Sequence, residues 1–186
     1  MHTRWVPRSP ATALALLLAA ALAGGPALAG PPAPPLVRTP VSDRDYASVV
    51  IKPHAGRVLL VSFWATYCLP CIEELPGLLK LRKKLAKHGV DVVFVNADGP
   101  GAPPDLMSGV LERRAIALGQ TFVVTQDNPE AFIAAVDPTW GGQVPFHVIY
   151  GRDGARLRSL SGALPLAELE QAVVAALPTK GAPGSP

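Results

Sequence analysis

Apolar stretches separated by polar and turn-forming segments predict that strands and helices alternate along this chain. Residues 58–63 form an apolar run and predict a strand buried on both faces. From Cys71 onward apolar residues recur at helical spacing, and Gly89 stands where a helix-ending glycine is expected. Residues 90–96 predict a second buried strand. This strand–helix–strand order predicts parallel pairing with a right-handed crossover.

The rest of the chain continues the alternation. The apolar spacing and the positions of Gly and Pro predict helices at 105–118, 128–136 and 166–177, and strands at 121–125, 146–150 and 155–160. Gly-Arg-Asp-Gly at 151–154 is typical of a hairpin turn. Ahead of the first buried strand, residues 36–39 favour a short edge strand and residues 42–51 a short helix. The fold is therefore predicted to be of the α/β class.

The first 29 residues have the pattern of a secretory signal peptide. Arg4 and Arg8 precede an apolar run at 11–23, and small residues at 27 and 29 suit a cleavage site. We expect cleavage after Ala29 and a periplasmic or otherwise extracytoplasmic mature protein. An uncleaved membrane anchor is the alternative, although the run is short for a bilayer span.

Composition divides the remaining chain into three parts. The proline-rich segment 30–40 predicts an extended linker, residues 41–178 predict a single domain, and residues 179–186 predict a disordered tail. The net charge of +3 includes the two arginines of the first segment, so the rest carries 15 basic and 14 acidic residues. Such a balance gives no support for nucleic-acid binding.

The only two cysteines, Cys68 and Cys71, lie where the first buried strand gives way to the helix. Residues three apart on a helix lie roughly 5–6 Å apart, which suits a disulfide. The helix N-terminus stabilises a thiolate at Cys68, and Cys-x-x-Cys sites have thiol pKa values lowered from about 8.5 to roughly 3.5–7.5. Pro70 lacks an N–H, which costs nothing in a first turn. The pattern predicts a redox-active thiol pair.

Two other uses of the cysteines are weaker interpretations. A structural disulfide that closes so short a loop would stabilise the fold only slightly. A zinc site needs about four ligands, and His54, His88 and His147 show no ligand spacing. We expect each of these histidines to be an ordinary surface or sheet residue, and we expect neither a metal ion nor a cofactor.

Residues 63–76, Phe-Trp-Ala-Thr-Tyr-Cys-Leu-Pro-Cys-Ile-Glu-Glu-Leu-Pro, strongly resemble the active-site signature of thioredoxin-fold proteins. They look most like the TlpA/ResA/CcmG type of extracytoplasmic thiol–disulfide oxidoreductase. The resemblance covers residues 41–177 and includes Gln-Val-Pro at 143–145. It implies a thioredoxin fold, with a central mixed β-sheet flanked by helices and a TlpA-type insertion between Asn96 and Gln143.

The resemblance also implies a second half of the site. It implies that the Val144–Pro145 peptide bond is cis, lies beside the cysteines and pairs with an extended substrate segment. We expect Trp64 to pack beneath the site and Trp140 over it. The residues assigned to the substrate-binding surface are Trp64, Tyr67, Leu69, Pro70, Val144 and Pro145.

The chain departs from the family pattern at two positions. Tyr67 replaces the usual tryptophan before the first cysteine, and Ser62 stands where thioredoxin has a buried aspartate that assists proton transfer. Asp98 is the nearest candidate for such an acid, and an ordinary exposed loop aspartate is the alternative. Glu73 and Glu74 are expected to be solvated acids at the helix start.

These features support a hypothesis of dithiol–disulfide exchange. The Cys68 thiolate would attack a disulfide of a protein substrate, and Cys71 would resolve the mixed disulfide. The direction of electron flow is not in the sequence, but the resemblance favours a monomeric reductant. It also implies that a membrane thiol transporter restores the dithiol, and that substrates can include apocytochrome c or copper-site proteins. Cell redox homeostasis and cytochrome c maturation are the corresponding processes.

Two functions of other classes remain as alternatives. A peroxiredoxin-like peroxidase needs a threonine three residues before its reactive cysteine, whereas Thr66 is two residues before Cys68. A copper-delivery or chaperone protein of this fold uses a wider Cys-x-x-x-Cys motif and a histidine, and the spacing here is one residue short.

Overall fold

The computed structural model of the chain describes residue 2 and residues 35–103, 105–126 and 128–178. The chain divides into two units, residues 1–32 and 33–186, and the fold below is that of the second. The predicted signal peptide at 1–29 and the predicted tail at 179–186 lie outside the described fold. Among the described residues, no helix is both long and apolar enough to cross a membrane.

Six strands form one mixed sheet in the order β1-β4-β3-β2-β5-β6. The first four strands in this order are parallel, and β5 and β6 are antiparallel to their neighbours. The predicted parallel unit and the predicted hairpin are therefore confirmed. The strands are β1 (Val37–Val41), β2 (Val58–Trp64), β3 (Val90–Asn96), β4 (Gln120–Val124), β5 (Phe146–Tyr150) and β6 (Arg156–Ser161).

Helices cover both faces of this sheet. The α-helices are α1 (Leu69–Leu85), α2 (Leu106–Arg113), α3 (Pro129–Val136) and α4 (Leu166–Ala175). A π-helical segment, Ala47–Ile51, continues into a 3₁₀ turn, Lys52–His54, and a second 3₁₀ turn, Ala86–His88, ends at Gly89 in the left-handed conformation. One hydrophobic core contains buried residues of α1, α2 and α4, and the other contains those of the π-helical segment and α3.

Strand β2 is central because both of its faces are apolar. All seven of its residues are buried. Leu60 and Trp64 belong to the core beneath α1, whereas Leu59 and Phe63 belong to the core on the opposite face. Each such side chain stabilises the fold by roughly 1.5–3 kcal/mol. The strand therefore holds the start of α1 rigidly at its C-terminal end.

Two boundaries differ from the predicted ones. Helix α2 ends at Arg113, not near 118, because Ala115 has a positive φ of 52° and the Ile116 N–H bonds back to the Leu111 carbonyl. The apolar spacing continues beyond that turn because the extended backbone still buries Ile116. Strand β1 confirms the short edge strand predicted at 36–39, but it runs from Val37 to Val41 and so overlaps the segment predicted as a linker, because it pairs with β4 at the edge of the sheet.

Asp137 anchors the loop between α3 and β5. Its carboxylate accepts hydrogen bonds from the Thr139 N–H at 2.9 Å and from the Ser159 hydroxyl, and Arg156 Nη1 lies 2.7 Å from it. Burial by itself raises the pKa of Asp137, but the hydrogen bonds from Ser159 and Thr139 and the Arg156 charge outweigh it and lower the pKa to about 2. The folded protein therefore stabilises the ionised carboxylate.

We expect acid to weaken this anchor. Since the folded pKa lies below the unfolded value, Asp137 contributes fully above about pH 4, and its contribution is lost as the pH falls towards 2. That contribution is about 2 kcal/mol. Urea unfolding near pH 7 and near pH 3 should show a smaller acid-induced loss in Asp137→Asn than in the unmodified protein. Asp153→Asn, at an exposed aspartate, is the matched control, and its free energy of unfolding should fall in acid as much as that of the unmodified protein. Equal acid-induced decreases in all three proteins would contradict the expectation.

Candidate active site

Cys68 and Cys71 lie at the junction of β2 and α1. Cys68 is the N-cap of the helix, with an extended backbone, and its sulfur accepts a hydrogen bond from the Cys71 N–H at 3.3 Å. The two sulfurs are bonded to each other, and the two Cα atoms are 5.3 Å apart. The sequence prediction of a disulfide-competent pair at a helix start is confirmed.

The two cysteines differ in their surroundings. Cys68 keeps 7% of its surface exposed and Cys71 only 2%. The first turn of α1 contains no acidic side chain, so the positive end of the helix dipole at Cys68 is not offset there. When the disulfide is reduced, this arrangement favours a thiolate on the outer sulfur.

Exposed apolar side chains flank the outer cysteine. Tyr67 is 74% exposed and Leu69 is 51% exposed, and Pro70 is also exposed. Tyr67, Leu69 and Pro70 are therefore exposed residues that adjoin or closely follow Cys68 in the chain.

Trp64 does not belong to that surface. Its side chain is wholly buried in the core beneath α1, and its indole Nε1–H donates to Thr121 Oγ1 at 3.3 Å. The assignment of Trp64 to direct substrate contact is therefore wrong, because no part of the ring reaches the surface. Its expected packing beneath the site is confirmed.

The Val144–Pro145 peptide bond is cis, as the resemblance implied. β5 starts at the next residue, Phe146, which pairs with Phe63 near the C-terminal end of β2. This end of β2 also leads to Cys68, so the cis bond and the cysteines lie at the same edge of the sheet. Val144 is half-buried and Pro145 is buried.

Trp140 supports the loop that leads to the cis bond. Its indole Nε1–H donates to the Gln143 carbonyl at 2.7 Å, and its ring stacks on Phe146 with centroids 4.5 Å apart. Gly142 has a positive φ of 81°, and a side chain there would come within 2.8 Å of Ile133 Cδ1. Trp140 thus packs under the loop, and it also lines an open cleft of about 320 Å³ shared with Tyr67 and Gly142.

Asp98 contacts the turn that carries the cysteines. Its Oδ1 accepts a hydrogen bond from the Thr66 N–H at 2.7 Å, and its Oδ2 accepts one from Asn96 Nδ2 at 3.1 Å. Asp98 is half-buried, so the alternative of an ordinary exposed aspartate is wrong. Sequence reasoning missed Asn96, although a buried amide at the end of an apolar strand is itself a signal of a structured site.

Glu74 is not the solvated acid that its place near the helix start suggested. Its Oε1 accepts a hydrogen bond from the Leu164 N–H at 2.9 Å, and its Oε2 lies 3.4 Å from Nε2 of the buried His147. Glu74 is three residues after Cys71, so the two share a face of α1. Periodicity alone could have placed Glu74 on the buried side of the helix, but not next to His147.

No group of three or more His, Cys, Asp or Glu side chains that could hold a metal ion occurs among the described residues.

Comparison with known proteins agrees with this geometry. Thiol-disulfide oxidoreductase ResA of Geobacillus kaustophilus is 23% identical over 142 residues, which cover 76% of this chain and 74% of the relative. ResA of Halalkalibacterium halodurans is 33% identical over 60 residues, which cover 32% of this chain and 34% of that protein. The match to the second relative thus spans about a third of its length.

Two solved structures extend the likeness to the fold. A Chlorobium tepidum protein described as thiol:disulfide interchange protein DsbE is 26% identical, with a TM-score of 0.54 over 68% of this chain and 84% of its own. A thioredoxin-related protein from Neisseria meningitidis serogroup B is 28% identical, with a TM-score of 0.53 over 66% of this chain and 85% of its own. The thioredoxin fold and the ResA/CcmG-like resemblance are confirmed. Because the Redoxin family model matches residues 28–178, which include every element of this site, the chain belongs to the Redoxin family.

Proposed function

We propose that this protein is a thiol–disulfide oxidoreductase that reduces disulfide bonds of protein substrates outside the cytoplasm. The observation that carries the proposal is the bonded pair Cys68–Cys71 at the N-terminus of α1, at the same end of the sheet as the cis Val144–Pro145 bond. The relatives named thiol-disulfide oxidoreductase support the same reaction class.

The reaction proceeds from the reduced dithiol. The Cys68 thiolate attacks one sulfur of the substrate disulfide, forms a mixed disulfide and displaces the other substrate sulfur as a thiolate, which takes up a proton. Cys71 then loses its proton and attacks the Cys68 sulfur. The Cys68–Cys71 bond forms, the second substrate thiolate leaves, and two electrons have passed to the substrate.

The proposed substrate surface has two parts at the same end of the sheet. Tyr67, Leu69 and Pro70 are exposed next to Cys68 in the chain, and Val144 and Pro145 belong to the loop that leads into β5. An extended substrate segment placed between them would bring its disulfide to the outer sulfur. Apolar side chains in that segment would be favoured because Tyr67 and Leu69 offer apolar area.

The proposed location and partners follow from the segment at residues 1–29. A cleaved signal peptide would place the domain in an oxidising compartment, where the dithiol must be regenerated after each turnover. A membrane thiol transporter is the proposed source of electrons, and a monomer is the proposed working form.

The direction of electron flow is tested by equilibrating the purified protein with glutathione redox buffers. If the protein is a reductant, the reduction potential of the Cys68–Cys71 couple should lie well below that of the strong oxidants of this superfamily. The fraction of alkylatable cysteine at each buffer composition gives the potential. A reduction potential of about −120 mV would reverse the assigned direction.

Asp98 is proposed as a candidate proton-transfer acid, and its hydrogen bond to Thr66 gives it a positioning role as well. Asp98→Asn keeps an oxygen acceptor for the Thr66 N–H but cannot exchange a proton. If Asp98 only positions the turn, Asp98→Asn retains the shape of the pH–rate profile, whereas Asp98→Ala lowers the free energy of unfolding by about 1–3 kcal/mol. A pH–rate profile that loses one limb in Asp98→Asn supports proton transfer instead.

A further inference from the structure

His147 is a buried imidazole to which the exchange reaction above assigns no role. It lies in the middle of the sheet on β5, two residues after Pro145, and none of its surface is exposed. Neither ring nitrogen has a hydrogen-bond partner within the described part of the chain. A buried polar group without a partner costs about 1–3 kcal/mol, so its presence in an apolar strand requires an explanation.

A carboxylate from the helix that carries the cysteines lies close to this imidazole. His147 Nε2 lies 3.4 Å from Glu74 Oε2, which is an ion-pair distance rather than a well-formed hydrogen bond. The Glu74 side chain is only 16% exposed, and its other oxygen is held by the Leu164 N–H. Glu74 is one helical turn beyond Cys71, at a Cβ separation of roughly 5–6 Å.

The other surroundings of His147 carry no charge. The neighbouring strands place Ser62 and Leu160 opposite it, and the loop at 162–165 contains no titratable residue. On α1, Glu73 is exposed to solvent. On α4, Glu168 is exposed and Glu170 pairs with Lys84 at 2.6 Å. Glu74 is therefore the charged group that lies against His147, and Cys71 shares the helix face of Glu74 one turn earlier.

We propose that His147 is a positioning residue of the dithiol site, which acts through Glu74 and takes up a proton when the buried Cys71 thiol ionises. This role in disulfide exchange rests on the proposed function. With His147 neutral and Glu74 ionised, the pair carries one negative charge, which opposes a second negative charge on Cys71. Protonation of His147 removes that net charge, so the proton moves from sulfur to imidazole and the total charge of the three groups stays the same.

The step balances within the resolving reaction. Cys71 gives its proton to the Glu74–His147 pair and attacks the Cys68 sulfur, the mixed disulfide breaks, and the substrate leaves as a thiolate. The pair then releases the proton, which neutralises the departing thiolate. The thiol buried beneath Cys68 can therefore ionise without bringing an uncompensated charge into the core.

The ionisation of Cys71 can be measured by itself in full-length protein that carries Cys68→Ser. Ionisation of the remaining thiol is measured by its ultraviolet thiolate absorbance across pH. Adding His147→Phe should lower the thiolate fraction near neutral pH by about tenfold, a change of one unit in the ionisation midpoint. Further addition of Glu74→Gln should restore most of that fraction, because the uncompensated carboxylate is then gone.

Two further variants separate this role from packing. His54→Phe removes a histidine that also pairs with a carboxylate, Asp91 at 2.7 Å, but at the opposite end of the strands, and it should leave the Cys71 titration unchanged. If His147→Phe does not fold, His147→Gln serves in its place and should shift the titration in the same direction. An unshifted midpoint, or a shift that persists after Glu74→Gln, overturns the proposal. No disulfide substrate is used, so a protein that proves inactive in disulfide reduction would refute the proposed function separately.

Discussion

Replacing Cys71 by serine is expected to leave the protein covalently bound to the first disulfide substrate that it meets. Cys68 remains at the N-terminus of α1 and can still attack, but no second thiol lies beneath it to break the mixed disulfide. Steady-state turnover should fall by about 10³-fold or more. Mass spectrometry of a sample without reducing agent should show an adduct of the variant with one substrate chain. Dithiothreitol should release the substrate chain from that adduct.

Matched variants determine which sulfur carries the adduct. Cys68→Ser should form no such adduct, because the remaining thiol of Cys71 is nearly inaccessible. The double variant should behave in the same way. Adduct formation by Cys68→Ser but not by Cys71→Ser would exchange the roles of the two cysteines, and sustained turnover by Cys71→Ser would exclude the two-cysteine mechanism.

Replacing Trp64 by alanine is expected to produce the largest loss of stability among substitutions near the site. The indole is wholly buried between β2 and α1, so its removal leaves a large cavity and should lower the free energy of unfolding by about 3–5 kcal/mol. Thr121→Val removes the hydroxyl that accepts the indole N–H and that also lies 3.1 Å from the carbonyl oxygens of Phe94 and Phe122, and it should cost about 1–3 kcal/mol. Urea unfolding measures both.

A third variant, Trp64→Phe, tests whether the Trp64 ring packs in the core or contacts substrate. If the ring is purely a packing residue, Trp64→Phe should lose stability and keep the KM for a protein disulfide. A raised KM with a loss of stability below about 1 kcal/mol would return Trp64 to the substrate surface, because a wholly buried ring of this size cannot be truncated so cheaply.

The sequence predicted those features that depend on local pattern. β2 and β3 could be placed because their apolar runs are buried by helices on both faces, and the start of α1 could be placed because Cys68, Pro70 and the following apolar spacing are helix-start signals. The end of α2 could not be placed, because buried apolar residues lie on both sides of the turn that stops the helix, Leu111 before it and Ile116 after it.

The features that the sequence did not predict depend on contacts between distant segments. Asp98 could be named as a candidate, but its bond to Thr66 follows from the parallel pairing of β2 with β3. Glu74 and His147 are 73 positions apart, and only the antiparallel pairing of β5 with β2 brings the imidazole beneath α1. No spacing rule links two such residues, so the buried pair behind the cysteines became visible only in the fold.

Cys68 is the proposed nucleophile of a dithiol–disulfide exchange. The most direct measurement compares the reduction of a disulfide-bonded model protein by dithiothreitol in the presence of the unmodified protein and of Cys68→Ser. We expect the unmodified protein to accelerate the reduction and Cys68→Ser to leave it at the uncatalysed rate. Undiminished turnover by Cys68→Ser would contradict the claim.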